Sequence, residues 1–174
     1  DLKYELVTTP MTWEDANRTA SQKKGRLVCI GTGSENNIVY QLLKDAKEFG
    51  ILPDGSGVTQ RAWIGITDNN VTSGSFLNKD TNQTEFFELN ATEGDWHWLS
   101  GEDVSSSIYQ NWNAGAEPKN DNKDFGAMDW STIDAKWVDL NETYRLPFIV
   151  EYDVDLSPAP TTIINGKRKV LILP

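Results

Sequence analysis

Nucleophilic and acid–base chemistry has little to draw on in this sequence. There is one cysteine, Cys29, and one histidine, His97. Cys29 stands in the apolar run Arg26-Leu27-Val28-Cys29-Ile30, where a thiol behaves as a small buried hydrophobe. His97 lies between Trp96 and Trp98 and is expected to face solvent. So small a supply argues against Ser/His or Cys/His catalysis and against a histidine-rich zinc centre. It also excludes an internal disulfide framework. Carboxylates are the abundant functional groups, 26 Asp and Glu against 16 Lys and Arg, for a formal charge of −10. The pairs Glu85/Glu88 and Asp121/Asp124 have the residue types of a glycosidase acid and base, but nothing in the sequence sets either pair across a cleft. A non-enzymatic protein is expected.

The charge also bears on partners. An acidic chain without a basic, aromatic-interleaved patch repels phosphate backbones, so no nucleic acid is expected. Acidic loops suit hard cations instead. No apolar run approaches the roughly 20 residues that cross a bilayer, so membrane insertion is not expected. Beginning at Asp1 without Met, the sequence reads as an excerpt of a longer protein. Its 174 residues include seven Trp, six Phe and five Tyr, enough apolar surface for one packed domain without staples.

The positioning elements follow from local pattern. Leu2 to Val7 predicts a first strand, ended by Thr8-Thr9-Pro10. Thr12 has the character of an N-cap, with Glu14 and Asp15 in the first turn, and Trp13, Ala16 and Ala20 form one helical face that stops before Gly25. Ser34 and Glu35 announce a second helix with Ile38, Leu42, Leu43 and Ala46 buried and Gly50 as its stop. Ala62 to Ile66 predicts a strand. A polar excursion over 68–94 holds one hairpin, Phe76-Leu77 against Glu85 to Leu89. Trp96 to Leu99 returns to strand character. Residues 103–124 follow no period, and an irregular stretch of that length in a compact domain is usually functional. Phe125 to Trp130, Trp137 to Leu140 and Pro147 to Tyr152 close a small antiparallel sheet. Residues 1–153 are taken as the domain, and 154–174 as a linker, an edge strand or the start of a following module.

Five aromatic signatures punctuate these elements: Trp63-Ile64-Gly65-Ile66, Trp96-His97-Trp98-Leu99-Ser100-Gly101-Glu102, Trp112 with Glu117-Pro118-Lys119-Asn120, Lys136-Trp137-Val138-Asp139, and Phe148-Ile149-Val150-Glu151-Tyr152. In this order, over roughly residues 2 to 152, they resemble the C-type lectin-like domain. The resemblance implies an α+β fold of two helices on small antiparallel sheets with a long irregular loop. With one cysteine the chain resembles the disulfide-lacking members of bacterial and phage surface proteins.

The resemblance also implies a ligand set. Glu117 and Asn120, Asp124 (unless Lys123 takes that position) and Asp139 would hold calcium. Asp68 and Asp121 would form an auxiliary metal site. Val138 replaces an amide ligand of the family's Asn-Asp pair and offers no oxygen. Glu117, Asn120 and Asp139 would also meet sugar hydroxyls, with Tyr109 and an outward-facing Trp96 stacking on the ring. The implied function is a non-enzymatic module of an extracellular, cell-surface or virion-surface adhesion protein that binds carbohydrate through calcium. The alternative is a calcium-independent protein-binding or display module.

Overall fold

The computed structural model describes residues 2–52, 60–78, 80–104, 107–114, 121–153, 161–164 and 167–170. Helix α1 spans Trp13–Gln22, and the Thr12 hydroxyl accepts the Asp15 N–H at 3.2 Å. Its apolar side buries Trp13, Ala16 and Ala20, and the Trp13 indole donates to the Ile64 carbonyl at 2.9 Å. Helix α2 spans Gly33–Glu48. Its cap is Thr32, two residues ahead of Ser34: the Thr32 hydroxyl accepts the Glu35 N–H at 3.1 Å, while Glu35 Oε2 accepts the Gly31 N–H at 2.7 Å. The two contacts satisfy orphan donors at the helix start, in the manner of a capping box. Gly50, at a φ of 67°, ends the helix where a side chain would be strained.

Two long strands run antiparallel through the middle of the main sheet, β1 (Leu2–Met11) and β9 (Leu146–Asp153), joining the two ends of the domain. Strand β1 continues past the expected stop because its register with β9 shifts between Val7 and Met11, and an irregularity of that kind accommodates Pro10, which has no N–H to donate. Short β2 (Arg26–Leu27) pairs with β9. Next come β3 (Arg61–Thr67), β7 (Phe125–Asp129) and β8 (Trp137–Leu140), with β6 (His97–Trp98) beside β3. The sheet is mixed and not purely antiparallel, since Trp63 pairs with Phe148 in parallel. Strands β4 (Val71–Asn78) and β5 (Gln83–Leu89) form a separate hairpin in the expected register, with Phe76 opposite Glu85. Two further strands, β10 (Thr161–Ile164) and β11 (Lys167–Val170), extend the sheet through a parallel pairing of β10 with β1. Residues 154–160, the first part of the 154–174 segment expected as a linker, an edge strand or the start of a following module, lie outside the described residues.

Both faces of β3 are buried, as its near-continuous apolar run requires. Ile64 and Ile66 pack into the core around α2, whereas Trp63 packs with Trp13, Phe125 and Phe148 on the α1 side. Gly65 lets two backbones meet there: a Cβ on it would stand 2.4 Å from the Leu27 carbonyl oxygen. Trp137 is the hub of the α2-side core. Its ring centroid lies 5.2 Å from Trp98, 5.7 Å from Tyr109 and 5.7 Å from Trp112, all edge to face. Its indole donates to Asn36 Oδ1 at 2.8 Å. Packing does here what disulfides do in smaller secreted domains.

The one deeply buried ion cluster ties β2 to β9 among the described residues. Arg26 donates to Glu151 Oε1 at 2.7 Å and to Asp153 Oδ1 at 2.7 Å. Cys29 lies beside it, and burial first, then the Glu151 carboxylate, pushes its thiol far up into the protonated form. That agrees with the inert thiol read from the sequence.

Candidate metal centre

The ends of β3 and β7 are stitched together at a single carbonyl. Asp124, the residue before β7, accepts the Thr67 hydroxyl at 2.6 Å and the Asp68 N–H at 3.3 Å on its backbone oxygen. Asp68 follows β3 directly, so this pairing brings two carboxylates 56 positions apart to one place. A third arrives through the hairpin. Asn70 Oδ1 accepts the Ala91 N–H at 2.8 Å, clamping the base of β4–β5. Gly94, at a φ of 83°, turns its N–H to Asp68 Oδ2 at 2.8 Å. Glu93 is thereby set beside Asp68 and Asp124, and carboxylate oxygens of the three lie within 4.8 Å of one another.

Three carboxylates so close repel one another, and the local electrostatics record it. Asp68 is 3% exposed, and burial, aided by the Glu93 and Asp124 charges and opposed by the Gly94 N–H, pushes its carboxyl up to about 6. Asp124 is raised as well, by burial first and then by Glu93, Glu142 and Asp121. Asp68 Oδ1 and Asp124 Oδ1 are both buried with no hydrogen-bond partner. Buried carboxylate oxygens without donors are costly unless a cation meets them. A set of hard anionic oxygens is what calcium selects, at six to eight ligands in flexible geometry. The residues present fit that ion.

The other residues singled out from sequence distribute as follows. Asp121 contributes charge near Asp124, but its Oδ1 accepts the Lys123 N–H at 3.0 Å and it is not a member of the three-carboxylate group. The carboxylate that stands with Asp68 and Asp124 is that of Glu93. Asp139 sits opposite Gly126 in the β7–β8 ladder, buried, with Oδ2 unpartnered. Val138 is buried apolar surface. Glu117 and Asn120 lie outside the described residues. Trp96 does not face outward. It is 3% exposed, with its ring centroid 5.1 Å from Trp112, so it belongs to the core and has no face for a sugar. Tyr109 is half-buried against Trp137. His97 is likewise half-buried, with Nε2 3.0 Å from Asp95. Sequence reasoning missed Glu93. Its only signal was position, a carboxylate next to a glycine at the point where the polar excursion returns to Trp96.

No protein-family model matches the chain. A relative, C-type lectin domain family 4 member M of Hylobates lar, is 23% identical over 143 residues, 78% of this chain and 27% of the relative. The chain thus spans about a quarter of the length of that relative. Among solved structures, human lithostathine superposes with a TM-score of 0.60 at 24% identity, covering 87% of this chain and 91% of that one. The carbohydrate-recognition domain of the mouse scavenger receptor C-type lectin gives 0.59 at 22% identity, covering 89% and 92%. The chain has the C-type lectin-like fold, an α+β domain of two helices on a mixed sheet.

Proposed function

We propose that the chain is a non-catalytic recognition module of an extracellular or surface adhesion protein, which binds carbohydrate at a calcium-organised face. The observation that carries this reading is the Asp68–Glu93–Asp124 group, with two buried carboxylate oxygens that lack donors. Asp68, Glu93 and Asp124 would hold the ion, whose charge would offset their repulsion and fix the start of β7. Glu117, Asn120, Asp121 and Asp139 belong to the same long-loop and β8 region in sequence, and are proposed to extend that face toward a ligand's hydroxyls. Support from likeness is of two kinds. A structural neighbour is described as a carbohydrate-recognition domain, and another is a calcium-dependent antifreeze protein.

Calcium titration by calorimetry, followed by a glycan array read with calcium and with chelator, tests both halves. The expected outcome is saturable calcium binding that Asp68→Asn weakens at least tenfold, and glycan signals that disappear with chelator. Calcium binding unaltered by Asp68→Asn would move the ion elsewhere. Calcium binding with an empty glycan array would leave the ion and refute the carbohydrate reading.

A further inference from the structure

A second cleft, of about 370 Å³, opens between α2 and the segment that follows Val104. Asn36, Asn37 and Tyr40 line it from the helix, and Tyr109, Asn111 and Asp134 from the other side. Asp134 lies in the β7–β8 connection, at the end of β7 away from Asp124. The cleft is therefore distinct from the three-carboxylate group.

Its floor is built in advance. The amides of Asn36 and Asn111 both donate to the Asp134 carbonyl, at 3.0 and 2.8 Å, and Asn111 donates also to the Ala135 carbonyl at 3.1 Å. The oxygens of the same amides are engaged too, Asn36 by the Trp137 indole and Asn111 by Lys136 Nζ, each at 2.8 Å. This web holds Asp134 and Ala135 at φ values of 65° and 48°. Left-handed backbone costs a non-glycine residue on the order of 1 kcal/mol or more, and such strain concentrates at ligand clamps.

What remains for a visitor is narrow. Among the described residues that line it Asp134 alone is charged, with Lys136 Nζ held on Asn111 Oδ1 beside them. The Tyr109 ring stands near it: burial first, then the Asp134 charge, raises the Tyr109 hydroxyl above its usual range. Tyr40 already carries Lys44 Nζ 5.1 Å from its ring centroid, and Tyr109, packed on Trp137 at 5.7 Å, lines the cleft with the rest of its ring. The chain neighbours of the two key residues, Ile108 and Ile133, are 106% and 84% exposed. Neither is among the residues lining the cleft, but each stands one position from a side chain that is.

An aromatic face beside a carboxylate fits a planar guanidinium, which stacks on the ring while donating to the acid. The exposed isoleucines next to them in sequence offer apolar surface to residues flanking such a guanidinium. The chain's charge of −10 draws cationic partners. We infer that this cleft docks a partner polypeptide, which sets an arginine side chain against Tyr109 and Asp134 and lays apolar neighbours on Ile108 and Ile133. The contact needs no metal and does not rest on the calcium reading.

The test uses the full chain, labelled with ¹⁵N, in chelator, titrated with capped Leu-Arg-Leu peptide. Capped Leu-citrulline-Leu and methyl glycosides serve as comparison probes. Asp134→Asn removes the charge while keeping both the carbonyl that the amides hold and a residue type that tolerates left-handed backbone. An unchanged thermal midpoint confirms that its fold is intact. The arginine peptide is expected to shift amide signals of Ile108 to Asn111 and Ile133 to Ala135. Asp134→Asn should weaken that binding about tenfold, the cost of a lost charge-assisted hydrogen bond. Citrulline should bind no better to the native chain than arginine binds to the variant. No shift at millimolar peptide, shifts confined to other segments, equal binding by Asp134→Asn, or a glycoside preferred over the peptide would each overturn the inference.

Discussion

Metal-free protein is expected to gain stability on acidification from pH 7 to pH 5, and saturating calcium to oppose the trend. The sign follows from Asp68. Its folded-state carboxyl titrates at about 6, above the ordinary aspartate value near 3.9. Between those values the native state binds more protons than the unfolded chain, so stability is full at low pH and is lost as pH rises through 6. From pH 7 to 5 the gain is on the order of 1 kcal/mol for this one group, or roughly 2 to 4 °C in a domain of this size. Asp124 shifts in the same direction and adds to it. Glu151, raised by burial against the pull of Arg26, contributes a slope of the same sign that calcium does not touch.

Calcium that binds only the ionised native site adds about 2.7 kcal/mol at a hundredfold excess over its dissociation constant, and this gain is lost as acid protonates the ligands. Thermal melts at pH 5, 6 and 7, with calcium and with chelator, should therefore diverge at pH 7 and converge at pH 5. Asp68→Asn should lower the metal-free slope by the Asp68 share, leaving that of Glu151, and erase the calcium gain. Parallel melting curves at all three pH values would contradict the assignment.

The larger effect on stability is expected at Trp137. Its side chain is fully buried and contacts three aromatic rings, and its indole is the donor to Asn36 Oδ1. Trp137→Ala should cost about 3 to 5 kcal/mol through lost burial and the cavity left behind. Orphaning Asn36 adds roughly 1 kcal/mol or more. That is a large part of the 5 to 15 kcal/mol that holds a typical domain. Trp137→Phe keeps most of the packing and should lose much less. Urea denaturation of the two variants reads the difference, with the midpoint moving and the slope preserved. A loss below about 1 kcal/mol for Trp137→Ala would mean that the aromatic hub is not what holds β8 to α2.

What could be read from the sequence, and what could not, divides by the range of the signal. Helix α1 was legible because its cap, acidic first turn and Trp13/Ala16/Ala20 face all fall within one short segment. The start of α2 is less legible, since Thr32 and Ser34 are both hydroxyl residues and the contacts that make Thr32 the cap, with Glu35 reaching back to Gly31, leave no sequence signal of their own. Trp96 lies inward and not outward because alternation has no hold just ahead of a strand of two residues, and Trp112 claims the ring from across the loop. Asp68 and Asp124 are both expected as metal residues from the sequence, but in different sites. Their union depends on the Asp124 carbonyl tying β3 to β7. Glu93 depends on a hairpin closing against Asn70. Neither closure leaves a local periodicity to detect.

A crystal structure grown with millimolar calcium tests the metal centre most directly. The prediction is one ion bonded at about 2.3 to 2.6 Å to carboxylate oxygens of Asp68 and Asp124, with Glu93 drawn in. Crystals whose calcium lies elsewhere, or in which Asp68 and Asp124 meet only water, would contradict it.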